Sequence, residues 1–435
     1  MKKAFLIISV AALISLGANG PKSTKVSSWV EDDIPYLVDF YQQRHMNPEI
    51  SLQEEETSKA LAAELRKVGF EVTEGVGGYG IVGMMKNGDG PTILYRTDMD
   101  ALPMYEKTGL SYASNVSIKH NNSETGVMHS CGHDMHMTTW VGTARAMANN
   151  KDDWKGTLMM IGQPAEEIGA GARMMLEAGL YEKFGAPDFG IGHHCSPALE
   201  AGKIGLISGY TLANAESIEI DVFGVGGHGA VPNMTIDPVV LASSIIMDLQ
   251  TIVSRNVNPL DDAVVTVGAI KGGTVGNIIP DQVTLKLTVR TFKEEVRQLV
   301  HQRIREICKG NAVAAGLPET QWPEVRIPEE FTPSNYNDPA LTKVLITSAE
   351  ETIGSQNVIA TDPIMGAEDF AMYGRTQHDV PTAMFWLGTV TNEKLNSPDL
   401  PGLHSPFYYP ESEPTIRTGV TVTTNMLLDL FEANN

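Results

Sequence analysis

The chain has 435 residues, 42% of them hydrophobic and 20% charged, and a formal net charge of −21. That length exceeds what one hydrophobic core sustains and predicts two domains, and the composition is that of a soluble globular protein. The acidic balance excludes nucleic acid and anionic membrane as partners, because either would require a basic face to neutralise phosphates.

Lys2 and Lys3 precede an apolar run from Ala4 to about Leu16, and small residues suited to cleavage near Ala18 or Gly20 follow. Residues 1–20 therefore read as an export signal, which implies a periplasmic or secreted protein. The run is shorter than the ~20 apolar residues of a spanning helix, so no membrane attachment is expected after cleavage. Two helical patterns occupy residues 33 to 68, the second from Glu54 to Val68 with Leu61, Leu65 and Val68 on one face. FEVTEG, YGIVGMM and TILYRTD then read as strands, Met135 to Asn149 as a helix, TLMMIGQ as a strand, Gly171 to Leu180 as a helix and DFGIGHH as a strand. This order predicts an α/β domain, a mostly parallel sheet flanked by helices.

The rhythm changes after Pro197. SIEIDVFGV, a helix near Pro238 to Arg255, AVVTVGAIKGG, QVTLKLTVRTF, a helix from about Lys293 to Ala315 and PEVRI form a β-α-β-β-α-β series. It closes as a ferredoxin-like, four-stranded α+β unit, after which the α/β pattern resumes with a helix at Asp338 to Ile353, the strand AMFWLG and a terminal helix from about Glu413 to Phe431. The expected organisation is an α/β domain at 28–207 and 327–435 interrupted by an inserted domain at 208–326.

Residues with ligating or proton-transfer chemistry crowd the ends of these strands, where an open α/β sheet leaves its crevice. TILYRTDMDALP ends with Asp98 and Asp100, and HSCGHDMH opens a helix with Cys131, His133, Asp134 and His136. GQPAEEIGAG carries Glu166 and Glu167, GIGHHCSP carries His193 and His194, and PGLHSPF supplies His404. Cys131, Cys195 and Cys308 are an odd number, so they cannot all pair, and a thiolate among histidines is better explained as a metal ligand than as half of a disulfide. Each cluster has a plain structural reading: a helix cap for HSCGHDMH, a solvated helix start for the glutamate pair. Four clusters of ligand type at successive strand ends favour a metal centre. In the glutamate pair, neighbours on a non-helical segment diverge, so one can bind an ion while the other takes a proton. His193 and His194 diverge along a strand, and one of them faces the crevice. Imidazole, carboxylate and one thiolate suit Zn²⁺, Mn²⁺ or Co²⁺ rather than Ca²⁺ or Mg²⁺.

Together RTDMDALP, HSCGHDMH, GQPAEE, GGHGAVP, GGTVGNIIPD, MGAEDF and LHSPF resemble, in order, the aminoacylase/carboxypeptidase family of dinuclear metallopeptidases. The match is strongest with its subgroup of N-acyl-amino-acid amidohydrolases, hippurate hydrolases and auxin-conjugate hydrolases. It extends from HMNPEISLQEEET to the last helix. The resemblance implies two divalent metal ions per subunit, with Cys131, His133, Glu167, His194 and His404 as ligands, Glu166 as general base and Asp100 orienting a ligand. Asp98 stands where other branches place a ligating His. In the inserted domain, which the family uses as a dimerisation lid, His228 resembles a residue that steadies the oxyanion across a homodimer, and Asn277 a contact to substrate. Taken alone, His228 reads as a loop imidazole held by Gly-rich backbone. Arg290, at a strand end, is a further substrate-binding candidate, although such an Arg commonly pairs with a surface carboxylate. The chain departs from its relatives at Asn233, where a His commonly follows the Pro of the lid motif. The activity implied is hydrolysis of the amide bond of a small N-acyl amino acid. The alternatives are a carboxypeptidase or dipeptidase acting on short peptides, and a periplasmic metal- or ligand-binding protein without chemistry.

Overall fold

The computed structural model describes residues 22–434. The export signal read in residues 1–20 lies outside them. Strands β1 (Glu71–Glu74), β2 (Ile81–Asn87), β3 (Thr92–Asp98), β4 (Gly156–Gln163), β5 (Phe189–Glu200) and β6 (Ile204–Leu206) precede the insertion. Strands β7 (Glu216–Phe223), β8 (Ala263–Gly272), β9 (Gln282–Thr291) and β10 (Glu324–Arg326) lie within it, and β11 (Val358–Ala360) and β12 (Thr382–Val390) follow. The helices that matter here are α1 (Lys22–Met46), α2 (Glu55–Lys67), α3 (His133–Asn149), α4 (Pro238–Thr251), α5 (Glu294–Ala314), α6 (Pro339–Ile353) and α7 (Ser412–Ala433).

Eight strands form one sheet in the order β1-β2-β4-β3-β5-β12-β6-β11. It is mixed. The pairings β4–β3, β3–β5, β5–β12 and β6–β11 are parallel, while β1–β2, β2–β4 and β12–β6 are antiparallel. Alternation along the strands gives the sheet two apolar faces. Ile93, Tyr95, Leu158 and Met160 face the layer formed by α1, α3 and α7, whereas Leu94, Met159 and Ile161 face Met175, Leu180, Phe370 and Tyr373 on the other side. Helix α1 begins earlier than the sequence pattern suggested, since Val26, Val30, Ile34, Leu37 and Tyr41 form one buried stripe at helical spacing that continues past Pro35. An exposed hairpin, Ser117–His120 with Ser123–Gly126, was not anticipated, because short polar strands carry no apolar alternation.

The insertion has its own core. Its antiparallel sheet, in the order β8-β9-β7-β10, packs α4 and α5 on one face through Ile218, Ile220, Val222, Leu241, Ile245, Leu285, Leu287, Val300 and Ile304. The two chain crossings into it pair with each other, Gly209–Leu212 running antiparallel to Asn335–Asn337.

Candidate metal centre

Loops that follow β3, β4 and β12 meet at one cleft, the crevice expected of an open α/β sheet; His193 and His194, expected at a strand end, instead lie within β5, which continues to Glu200, and His194 reaches the cleft from inside the strand. Gly132, the residue before α3, has φ +83, a left-handed turn that L side chains rarely adopt. A side chain there would also press within 3.1 Å of the Cys195 Cβ. The turn places Cys131 and His133 on the same side. Ala165, at φ 52, turns the chain after β4 so that Glu166 and Glu167 follow directly. Asp100 fixes this turn. Its Oδ1 accepts from the Glu166 amide at 3.2 Å, and its Oδ2 accepts from the Glu167 amide at 3.0 Å and from Ser51 Oγ at 2.6 Å. Its backbone carbonyl accepts from His133 Nδ1 at 2.8 Å, which leaves His133 Nε2 as the free nitrogen.

The donor atoms converge. Cys131 Sγ is 3.5 Å from His194 Nε2 and 3.3 Å from His404 Nε2. His404 Nε2 is 3.4 Å from Glu167 Oε2, and His133 Nε2 lies 3.8 Å from Glu167 Oε1 and 3.9 Å from Glu166 Oε2. Three overlapping groups, Cys131–His133–His194, Cys131–Glu167–His404 and His133–Glu166–Glu167, each hold their ligand atoms within 4.8 Å of one another. His194 donates Nδ1–H to its neighbour's carbonyl, Cys195 O, at 2.8 Å, which fixes Nε2 as the ligating nitrogen. His193 points the other way, to Tyr95 Oη at 2.9 Å and against the Phe385 ring.

Two observations show that these residues fit divalent cations. His133 Nε2 and Glu167 Oε1 are buried and, among the described residues, without a hydrogen-bond partner. Such orphans are costly unless something outside the protein satisfies them. The charge balance agrees. Burial alone would depress His133, yet Asp98, Glu167 and Asp100 raise it to about 10. Burial together with neighbouring carboxylates raises Glu166 well above its ordinary value, and burial raises Glu167 to about 7. Burial, then Glu167 and Glu166, raise the Cys131 thiol. An anionic, thiol-containing cluster that retains protons to offset its charge is one a cation would deprotonate.

The other two histidines of HSCGHDMH have different roles. His136 donates Nδ1–H to Asp98 at 2.7 Å and accepts from the Cys195 amide at Nε2 at 2.8 Å, so both nitrogens are committed and it is no ligand. His129 is buried, and burial holds it neutral, down to about 4. Asp98 is taken by His136 and by Arg96 Nη1 at 2.7 Å.

Cys131, Glu166, Glu167, His194, Glu368, Arg290 and His404 line a cleft of about 420 Å³, with Leu212, Ile364, Trp386 and Leu403 as apolar wall. His133 lies beneath it, fully buried. Arg290 comes from β9 of the insertion into this cleft and donates to Met365 O at 3.2 Å; among the described residues it has no carboxylate partner. His228 and Asn277 are not among the described residues that line the cleft. They are exposed on the insertion in a short ladder, where His228 pairs with Ile278 and Gly229 N donates to Asn277 O at 2.9 Å. Asn233 is exposed on the same loop. Sequence reasoning missed Arg96 altogether. It is 0% exposed and bound to Asp98, Gln163, Glu368 and Asp369. The available signal was a lone cation inside the apolar strand TILYRTD.

Sulfur, imidazole and carboxylate donors with a spare glutamate beside them define a metal-dependent amidohydrolase or peptidase. Comparison with known proteins narrows this: the chain belongs to peptidase family M20/M25/M40, whose profile matches residues 94–429. It is 38% identical over 372 residues to N-acetylcysteine deacetylase of Bacillus subtilis (strain 168), covering 83% of this chain and 90% of that one. It is 39% identical over 334 residues to hippurate hydrolase of Campylobacter jejuni, covering 76% and 83%. Among solved structures it superposes on a Bacillus subtilis dinuclear metal binding peptidase of the M20 family with a TM-score of 0.75 at 30% identity, covering 92% of this chain and 99% of that one.

Proposed function

We propose that the protein hydrolyses the amide bond of N-acyl amino acids, using two divalent cations, Zn²⁺, Mn²⁺ or Co²⁺, held by Cys131, His133, Glu167, His194 and His404. The observation that carries this reading is the convergence of those five donors beside a glutamate, Glu166, that no ligand role requires. The names of the relatives, a deacetylase and a hippurate hydrolase, support the same substrate class. Bound cations would supply Lewis-acid polarisation of the scissile carbonyl and make water acidic enough to attack near neutral pH. Glu166 takes the proton of the attacking water and returns it to the departing nitrogen. Asp100 holds the glutamate turn and the His133 ring in register. Arg290 receives the substrate carboxylate, and the apolar wall receives its hydrocarbon part.

The lid works as a dimerisation element, and a second copy brings His228 and Asn277 to the cleft. Exposed Val239, Val240 and Met247 on α4, beside the unpaired edge strand β8, support this. Export to the periplasm or medium rests on the sequence pattern of residues 1–20.

Metal-free protein reloaded with Zn²⁺, Mn²⁺ or Co²⁺ should release free amine from N-acetyl and N-benzoyl amino acids, faster than from dipeptides. Stoichiometric metal uptake without amine release would leave a binding protein. Faster dipeptide turnover would make it a peptidase.

A further inference from the structure

Of the titratable side chains lining the cleft, Glu368 alone has no part in the reaction set out above. It is 1% exposed and caps the short turn Asp369–Gly374. Its Oε1 accepts from the Phe370 amide at 3.0 Å and from Arg96 Nη2 at 2.7 Å, while its Oε2 accepts only from Arg96 Nη1, at 3.3 Å. The guanidinium is itself immobilised by Asp98 at 2.7 Å and Gln163 Oε1 at 3.0 Å. A carboxylate has about four acceptor positions. Oε2 therefore keeps an acceptor position on a group that cannot turn away. Oxygens of Glu166, Glu368 and Asp369 lie within 4.8 Å of one another. Asp369 is not at the cleft surface, since its oxygens accept from Gln163 Nε2 at 2.6 Å and from the Ala172 amide at 3.0 Å. On the cleft side, Glu368 is thus a fixed acceptor with an oxygen within 4.8 Å of one of the proton-transferring glutamate.

Resting on the proposed amide hydrolysis, we infer that Glu368 is a catalytic residue that accepts a hydrogen bond from the N–H of the scissile amide and then holds the released amine. In the reaction the C–N bond breaks and the new C–O bond comes from water. One water proton reaches the nitrogen through Glu166, and the other leaves with the acid product and ionises to solvent. Throughout, the nitrogen keeps its own hydrogen, and in a closed cleft an N–H without an acceptor is destabilised. Glu368 meets that need without moving. Because it is negative, its attraction strengthens as the nitrogen gains a proton, the direction catalysis requires.

An ester isostere, the O-acyl 2-hydroxy acid with the same side chain, has no hydrogen to donate. Metal-loaded wild type, Glu368→Gln and Glu368→Asp should be compared on the N-benzoyl amino acid and its ester, with metal content measured by mass spectrometry. Loss of a hydrogen bond to a charged group predicts that the amide-to-ester ratio of kcat/KM falls roughly 10- to 100-fold while bound metal is unchanged. Glu368→Asp keeps the charge on Arg96 and answers the question if Glu368→Gln does not fold. On wild type, the N-methylated amide should be a poor substrate. An unchanged amide-to-ester ratio in a folded variant, or equal turnover of the N-methyl and parent amides, would overturn the inference while leaving the proposed function standing. Failure of wild type to cleave any N-acyl amino acid would remove the proposed function itself, and this role with it.

Discussion

His45 stands between two carboxylates, 2.6 Å from Asp134 Oδ2 through Nδ1 and 3.1 Å from Glu106 Oε1 through Nε2, and all three side chains are at most 1% exposed. Burial would depress its imidazole, but hydrogen bonds to Asp134 and Glu106 raise it to about 10. The folded protein thus carries an imidazolium that the unfolded chain loses above about pH 6.5. Between those values the folded state binds the extra proton, so this contribution is complete below pH 6.5 and disappears as pH rises toward 10. At about 1.4 kcal/mol per pH unit, it amounts to roughly 5 kcal/mol in full and falls by roughly 3 kcal/mol between pH 7 and 9.5. Other titrating groups packed against the ring are Tyr41 and Tyr112, with centroids at 5.7 and 5.3 Å. Burial pushes Tyr41 far up and Tyr112 to about 12, so neither ionises in that window. His45→Gln should therefore be several kcal/mol less stable than wild type at pH 7, because two buried carboxylates lose their counter-charge. The gap should narrow steadily on going to pH 9.5. Urea unfolding of the metal-free proteins at four pH values measures it, and subtraction cancels the lysines and cysteines common to both. A gap that stays constant across the series would mean a neutral imidazole and refute the argument.

Glu166→Gln should keep its full metal complement and lose at least about 10²-fold in kcat, the range for general acid–base groups. Glu167→Ala should lose metal as well as activity, which mass spectrometry of the native protein would show; retained metal would remove Glu167 from the ligand set. Arg290→Met should raise KM roughly 10- to 100-fold for a free-carboxylate substrate and leave the corresponding amide substrate unaffected. His228→Ala should lower kcat without altering metal content. A mixed dimer of His228→Ala and Glu166→Gln chains should recover activity if the imidazole acts across the interface, and none if each chain uses its own.

The parts of the candidate metal centre were legible in the sequence because most of them follow a strand and each has its own short-range signature, although the histidine pair lies within β5 rather than at its end. HSCGHDMH, the glutamate pair and the two histidines of β5 could be placed from strand patterns alone. The alternation rule correctly sent one of His193 and His194 to the crevice and the other to the flank. What stayed hidden depends on contacts far apart in sequence. Arg96 and Glu368 meet across 272 positions, and neither residue's neighbourhood announces the other. The antiparallel pairings β1–β2, β2–β4 and β12–β6 stayed hidden for another reason, since apolar runs do not encode direction. His228 and Asn277 carry motif signals, but their exposed place on the insertion depends on the ladder between their segments.

The strand order has a consequence for how the molecule is made. Strand β12 lies between β5 and β6, so a central position of the sheet is filled by residues 382–390, after the whole lid has passed. Until that segment arrives, β5 has one open edge, and His404, which follows it in the chain, has not joined its neighbours. The inserted unit, with a core of its own and all its strand pairings contained within residues 216–326, can mature first, whereas the body must wait for its most distant contact. A chain ending anywhere before Val390 should thus be an aggregation-prone fragment rather than a weakened enzyme, because the candidate metal centre is complete only once His404 is in place.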